Sequence, residues 1–286
     1  MQKKKFLLAF FITAITLCSS IVNAQLQASN WYFGFNAGIN FDPITGAVTP
    51  LTNGQVSTNE GCATISDENG QLLFYTDGII VYDRTHQIML NGQGLRGDPS
   101  SSQSAIIIPK PQDANIYYIF TVDLPPGNQG GGDKVHYYEV DMRGNSGLGE
   151  VTTDINNPPS LVDEASEKLT AINHSVNDEI FVTTYANSTG FGFFDSFHTF
   201  TVSATGVNPI PIISTVATPT LARRGYLKFS PDGRFLVSCT MGAQSYIYDF
   251  DQSTGVVSNE RAINLTTANQ AGYGAEFSPD GSLLYI

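Results

Sequence analysis

A β-propeller of four-stranded antiparallel blades is the architecture this 286-residue sequence predicts, and three observations point to it. The segment Leu227–Val237 returns 48 residues later as Ala275–Tyr285, with Phe-Ser-Pro-Asp-Gly in both copies (Phe229 to Gly233 and Phe277 to Gly281). A period of that size, with a tight turn between two apolar runs, marks small sheets repeated about an axis. A fainter repeat relates Phe41-Asp42-Pro43-Ile44-Thr45-Gly46-Ala47-Val48 to Phe250-Asp251-Gln252-Ser253-Thr254-Gly255-Val256-Val257. Finally, no stretch has a convincing helical period; the nearest, Leu161 to Leu169, is short and follows Pro158-Pro159.

The chain opens with the pattern of a secretory leader over residues 1–24. Lys3, Lys4 and Lys5 give the positive start, Phe6 to Leu17 the apolar segment, and Val22-Asn23-Ala24 a small-residue cleavage site before Gln25. The apolar part is too short to span a bilayer, so no membrane span is expected once the leader is removed. Cys18 is a poor candidate for lipidation, because bulky Leu17 stands where a small residue is expected.

Residues 25–286 read as one propeller domain. The first repeat unit runs from Cys62–Ser66 through a turn at Asp67-Glu68-Asn69-Gly70 to Gln71–Thr76, then by Asp77-Gly78 to Ile79–Tyr82. Asp and Asn followed by Gly supply the positive φ that such turns need. A second unit uses Ser104–Pro109, Tyr117–Val122 and Lys134–Asp141; a third begins near Lys168, turns at Asn177-Asp178 and reaches Phe197–Val202. The fourth starts at Tyr226 and the fifth at Tyr273. The 41–48 segment then reads as the turn from third to fourth strand of a blade, so the mature chain would begin with outer strands. About four to five blades are expected in this fragment and about seven in an intact ring whose inner strands close it from the other end. A ring left incomplete would carry open strand edges.

Composition narrows the function. Removing the three leader lysines from 14 basic residues leaves 11 against 26 acidic ones, a net charge of −15. That surface repels phosphate backbones, so nucleic acid is not an expected partner. Cys62 and Cys239 both sit in strand-like contexts and read as buried small hydrophobes, not as a disulfide.

Several segments carry a resemblance: Asn30–Gly34, Glu60–Asp67, Leu72–Gly78, Gln103–Pro111, Glu167–His174 and the two Phe-Ser-Pro-Asp-Gly units. They are similar to the amino-terminal, WD-repeat-like propeller region of Bacteroidetes surface proteins exported by the type IX secretion system. In that family the propeller is commonly followed by further modules and a gliding-motility-type sorting domain. The resemblance implies a location outside the cell or on the outer membrane of a Gram-negative bacterium, and it transfers no catalytic residue.

No nucleophile elbow, phosphate loop or dinucleotide fingerprint occurs, and no catalytic residue is assigned. Asp42, Asp232, Asp251 and Asp280 occupy repeated turn positions and read as turn caps. Asp67–Gly70 reads as a hairpin turn, since it lacks the alternating acidic ligands of a calcium loop. No cofactor is expected; calcium elsewhere in the loops stays an open alternative without a located site. His86, His136, His174 and His198 lie in different units without metal-ligand spacing; His174, after an inner-strand signal, is the one to follow. Gly130-Gly131-Gly132 reads as a flexible polar loop. Most aromatic residues should pack between blades, but Trp31, His174 and the run Phe191, Phe193 and Phe194 are expected on an exposed interaction surface. The functional expectation is a non-catalytic binding module for a protein or glycan partner at the cell surface, in adhesion or gliding. Its rivals are a glycan-active propeller enzyme, which needs converging carboxylates at the axis, and a spacer for further modules.

Overall fold

The computed structural model describes residues 26–123, 134–189, 192–266 and 272–286. The expected leader, Phe191 and Gly130 to Gly132 lie outside the described residues. What is described is a succession of small antiparallel sheets in chain order. A three-stranded sheet comes first: β1 (Asn30–Phe33), β2 (Ala37–Phe41) and β3 (Val48–Leu51). The next unit is β4 (Ala63–Ser66), β5 (Leu72–Thr76), β6 (Ile80–Asp83) and β7 (Ile88–Gln93). It is followed by β8 (Ala105–Pro109), β9 (Ile116–Val122) and β10 (Val135–Asp141), with the fourth-strand place shared by β11 (Glu150–Val151) and β12 (Ser160–Val162).

The third full unit has β13 (Ala165–Asn173), β14 (Ile180–Ala186) and β15 (Phe194–Ser203), edged by β16 (Gly206–Val207) and β17 (Ile212–Thr220). The fourth is β18 (Leu227–Phe229), β19 (Phe235–Ser238), β20 (Tyr246–Asp251) and β21 (Val256–Ala262). The pair β22 (Glu276–Phe277) and β23 (Leu284–Tyr285) completes the described residues. The units expected from sequence thus appear as four blades flanked by smaller sheets, and Leu161 to Leu169 falls in strands β12 and β13. One parallel bridge, Glu150 to Leu90, joins the second sheet to the third.

Propeller geometry shows most clearly in how the strands feed the core. Along β9 all seven residues are buried, yet they serve two different interfaces. Ile116, Tyr118, Phe120 and Val122 pack toward the β13–β17 blade, while Tyr117 and Ile119 pack toward the β4–β7 blade. The same alternation divides Val182 from Phe181 and Tyr185 on β14, and Leu236 from Val237 on β19. Successive side chains of a strand point to opposite faces, and here each face meets a neighbouring sheet. That is why these strands read as continuous apolar runs and not as polar–apolar alternation.

The turns repeat as their sequences do. In the Ser-Pro-Asp-Gly turns, Ser230 Oγ donates to Asp232 Oδ1 and Ser278 Oγ to Asp280 Oδ1, both at 2.6 Å. Each serine oxygen then accepts the N–H five residues on, from Phe235 and Leu283, at 2.9 Å. Donation from Ser278 Oγ and from the Ser282 N–H and hydroxyl holds the Asp280 carboxyl down at about 2. In the other pair, Asp42 Oδ1 accepts from Ile44 and Thr45, and Asp251 Oδ1 accepts from Ser253, each at 2.9 Å. Both turns close with a Gly N–H on the aspartate carbonyl at 2.8 Å. All four aspartates therefore cap turns, as expected.

Candidate functional site

The inner strands β4, β8, β13, β18 and β22 bring together residues just before or at their starts, and a polar network forms there. Its centre is Glu167, which is 3% exposed. Its Oε2 accepts from the Ser102 N–H at 3.0 Å and from Ser102 Oγ at 3.1 Å, and its Oε1 lies 3.6 Å from Arg224 Nε. Ser102 Oγ also accepts from the Gly225 N–H at 3.0 Å and meets the Tyr273 hydroxyl at 3.2 Å. Tyr273 in turn donates to Glu60. Burial pushes the Glu167 carboxyl up against the lowering effect of its Ser102 donors. Burial and the bond to Glu60 push the Tyr273 phenol up to about 12, so it stays a donor.

Gln103 adds a second clamp: its Oε1 accepts from the N–H of Leu169 on β13 and of Leu227 on β18, each at 3.2 Å. One amide oxygen from the β8 blade thus satisfies donors on two further blades. Gln103→Leu should cost about 2 kcal/mol, because two buried N–H groups lose their acceptor; urea unfolding at neutral pH measures it.

Every carboxylate oxygen of Glu167 is engaged by protein, and Glu60 is bridged to it through Tyr273 and Ser102. The geometry is that of a fastening between blades. Among the described residues no group of three or more His, Cys, Asp or Glu is placed to hold a metal ion. The histidines remain apart. His174 Nδ1 accepts from Val176 and Asn177 N–H groups at 3.0 and 3.2 Å, so it shapes the β13–β14 turn. His136 is buried, and desolvation helped by Arg96 lowers it to about 4. Both Cys62 and Cys239 carry free thiols, the latter buried and the former half-buried.

Of the aromatic rings expected at the surface, Trp31 and Phe193 are exposed and Phe194 is not. Trp31 and Phe33 alternate with Tyr32 on β1, so the first two face outward at 49% and 38% exposure while Tyr32 is buried against Tyr75, ring centroids 4.4 Å apart. Phe35, just beyond the strand, is 71% exposed. Beside them a cleft of about 240 Å³ is lined by Trp31, Tyr32, Phe33, Cys62, Ala63 and Thr64. The Trp31 indole N–H is tied to the Ala28 carbonyl at 2.9 Å, which fixes the ring and leaves its face to solvent. Phe193 is also exposed. Phe194, in contrast, is fully buried and offers no surface. It opens β15, where strand alternation turns it inward beside Tyr185 and under the Arg223 guanidinium, 5.0 Å from the ring centroid.

Among the described residues no helix is long and apolar enough to cross a membrane. No protein-family model and no curated protein matches the sequence. Among solved structures the chain is similar to a protein from Bacteroides uniformis provisionally named a 6-phosphogluconolactonase, at 16% identity and TM-score 0.49, over 87% of this chain and 69% of that one. It is also similar to a luciferin-regenerating enzyme, at 14% identity and TM-score 0.44, over 80% and 68% of the two chains. A third similar structure is the Cps50 (Swd1) β-propeller domain of Myceliophthora thermophila, at 13% identity and TM-score 0.40, over 88% and 87%.

Proposed function

We propose that this chain is a secreted, cell-surface binding module of the type IX-exported kind, a non-catalytic propeller that docks a glycan or protein partner. The observation that carries the reading is the row of outward aromatic rings, Trp31, Phe33 and Phe35, beside the cleft of about 240 Å³. Flat apolar faces held on a rigid strand can stack on sugar rings or receive an apolar side chain with little loss of rotamer freedom. Glu167, 3% exposed and with its oxygens held by Ser102 and Arg224, is closed to a substrate, which supports binding over hydrolysis at this position. Export rests on the sequence of the first 24 residues.

A glycan array probed with the purified protein, followed by titration of the best-bound glycan, tests this. Trp31→Ala should weaken binding about tenfold, the scale of one stacking contact. Turnover of any oligosaccharide that is lost in Glu167→Gln would displace the binding reading in favour of a hydrolase.

A further inference from the structure

A second cleft, of about 380 Å³, opens between the β8–β12 and β13–β17 blades. Its polar wall is built by register. Tyr137 and Glu139 sit two apart on β10 and so share a face, and Tyr118 lies directly opposite Glu139 on β9. The Tyr118 hydroxyl donates to Glu139 Oε2 at 3.2 Å, and Thr152 Oγ1 donates to Glu139 Oε1 at 3.1 Å. Burial and the neighbouring Glu139 raise the Tyr118 phenol, which keeps it a donor. The two hydroxyls hold the carboxylate in one orientation, while each of its oxygens keeps a lone pair for a further donor.

The facing blade contributes Thr205 and Gly206. Gly206 has φ +111°, and a Cβ there would come 3.3 Å from the Tyr118 hydroxyl, so glycine keeps the floor of the cleft open. The half-buried Tyr137 ring meets Tyr118 edge-on, with centroids 6.1 Å apart and planes at 78°. Among the described residues no lysine or arginine lines the cleft.

We infer that this interblade cleft binds a neutral sugar ring, whose hydroxyls donate to Glu139 and whose C–H face lies against Tyr137. The carboxylate without a lining cation repels phosphate and uronate, and the surrounding hydroxyls match a polyol. The inference concerns a site separate from the Trp31 surface and stands without it.

Ligand-observed saturation-transfer NMR, with glucose, galactose, mannose and N-acetylglucosamine as probes, tests it on the protein as it exists. At least one sugar should give transfer, with affinity reduced about tenfold in Glu139→Gln and in Tyr137→Ala. Thr205→Trp, at an exposed turn position, should plug the cleft and abolish the signal in a chain whose thermal melt is unchanged, which decides the matter even if Tyr137→Ala unfolds. Trp31→Ala should leave this signal intact. The inference fails if none of the four sugars gives transfer, if Thr205→Trp and Glu139→Gln bind as the parent does, or if only methylammonium, run as a cationic control, gives transfer.

Discussion

Between pH 7 and 9.5 the stability of the protein relative to its Lys168→Met variant is expected to grow by roughly 3 kcal/mol. Lys168 is fully buried; its Nζ donates to the Cys239 carbonyl and, at 3.3 Å, to Thr240 Oγ1. Burial lowers the ammonium from 10.5 to about 7, outweighing the raising influence of Cys239 and Glu167. In the unfolded chain the same lysine keeps its proton to about 10.5. Across the interval the unfolded state therefore binds more protons, and raising the pH favours the folded state by about 1.4 kcal/mol per unit. Below pH 7 both states are charged, and the folded one carries the desolvation cost throughout. Urea unfolding of both proteins at several pH values measures the difference. Comparing the two chains cancels, to first order, the raised Cys239 thiol and the raised tyrosines, which act in the opposite sense at higher pH. A difference that stays flat over this range would mean that Lys168 is solvated or remains charged.

The second large effect is expected at Gly225, where Gly225→Ala should cost about 3 kcal/mol or more. Its φ is +120°, a conformation L side chains rarely adopt, and a Cβ there would come 2.4 Å from the Cys239 carbonyl oxygen. That neighbour is backbone and cannot swing away. Strain and crowding each contribute about 1–3 kcal/mol. The substitution would also disturb the Gly225 N–H bond to Ser102 Oγ, and with it the axial network. Gly242→Ala separates the two causes: its φ is +78° but nothing lies within 4 Å of the added Cβ, so only the conformational cost of about 1 kcal/mol applies. Equal losses in the two variants, read from thermal unfolding, would remove crowding as the explanation.

The blades were legible because they depend on local signals. Each Ser-Pro-Asp-Gly turn is specified within a few residues, and the apolar runs between turns have strand length. Phe194 was misplaced because the glycines around Phe191 to Phe194 read as a loop. The strand begins at Phe194, inside that run, and the period of two then separates outward Phe193 from inward Phe194. The axial network was not legible because its members, Glu60, Ser102, Glu167, Arg224 and Tyr273, differ in chemistry from blade to blade. Two are glutamates, but no single residue type marks all five; what they share is a position at the start of an inner strand, three residues before it for Glu60, Ser102, Arg224 and Tyr273, and that is visible only once the strands are placed. The cleft at Glu139 was hidden likewise, since Tyr118 and Tyr137 look like ordinary core aromatics until the pairing of β9 with β10 sets them on one face.

The parallel contact between Glu150 and Leu90 has a mechanical meaning. It converts two neighbouring leaves into a single ladder of nine strands, so a load applied to the rim of one is carried by the amides of the other and not by side-chain contacts alone. Elsewhere along the arc, adjoining leaves meet through apolar faces, the axial clamp and separate hydrogen bonds such as that from the Ser175 N–H to the Gln252 carbonyl, and these are expected to resist sliding less than a shared ladder does. Under tension this pair should yield as a block, with the seams on either side acting as the weak points.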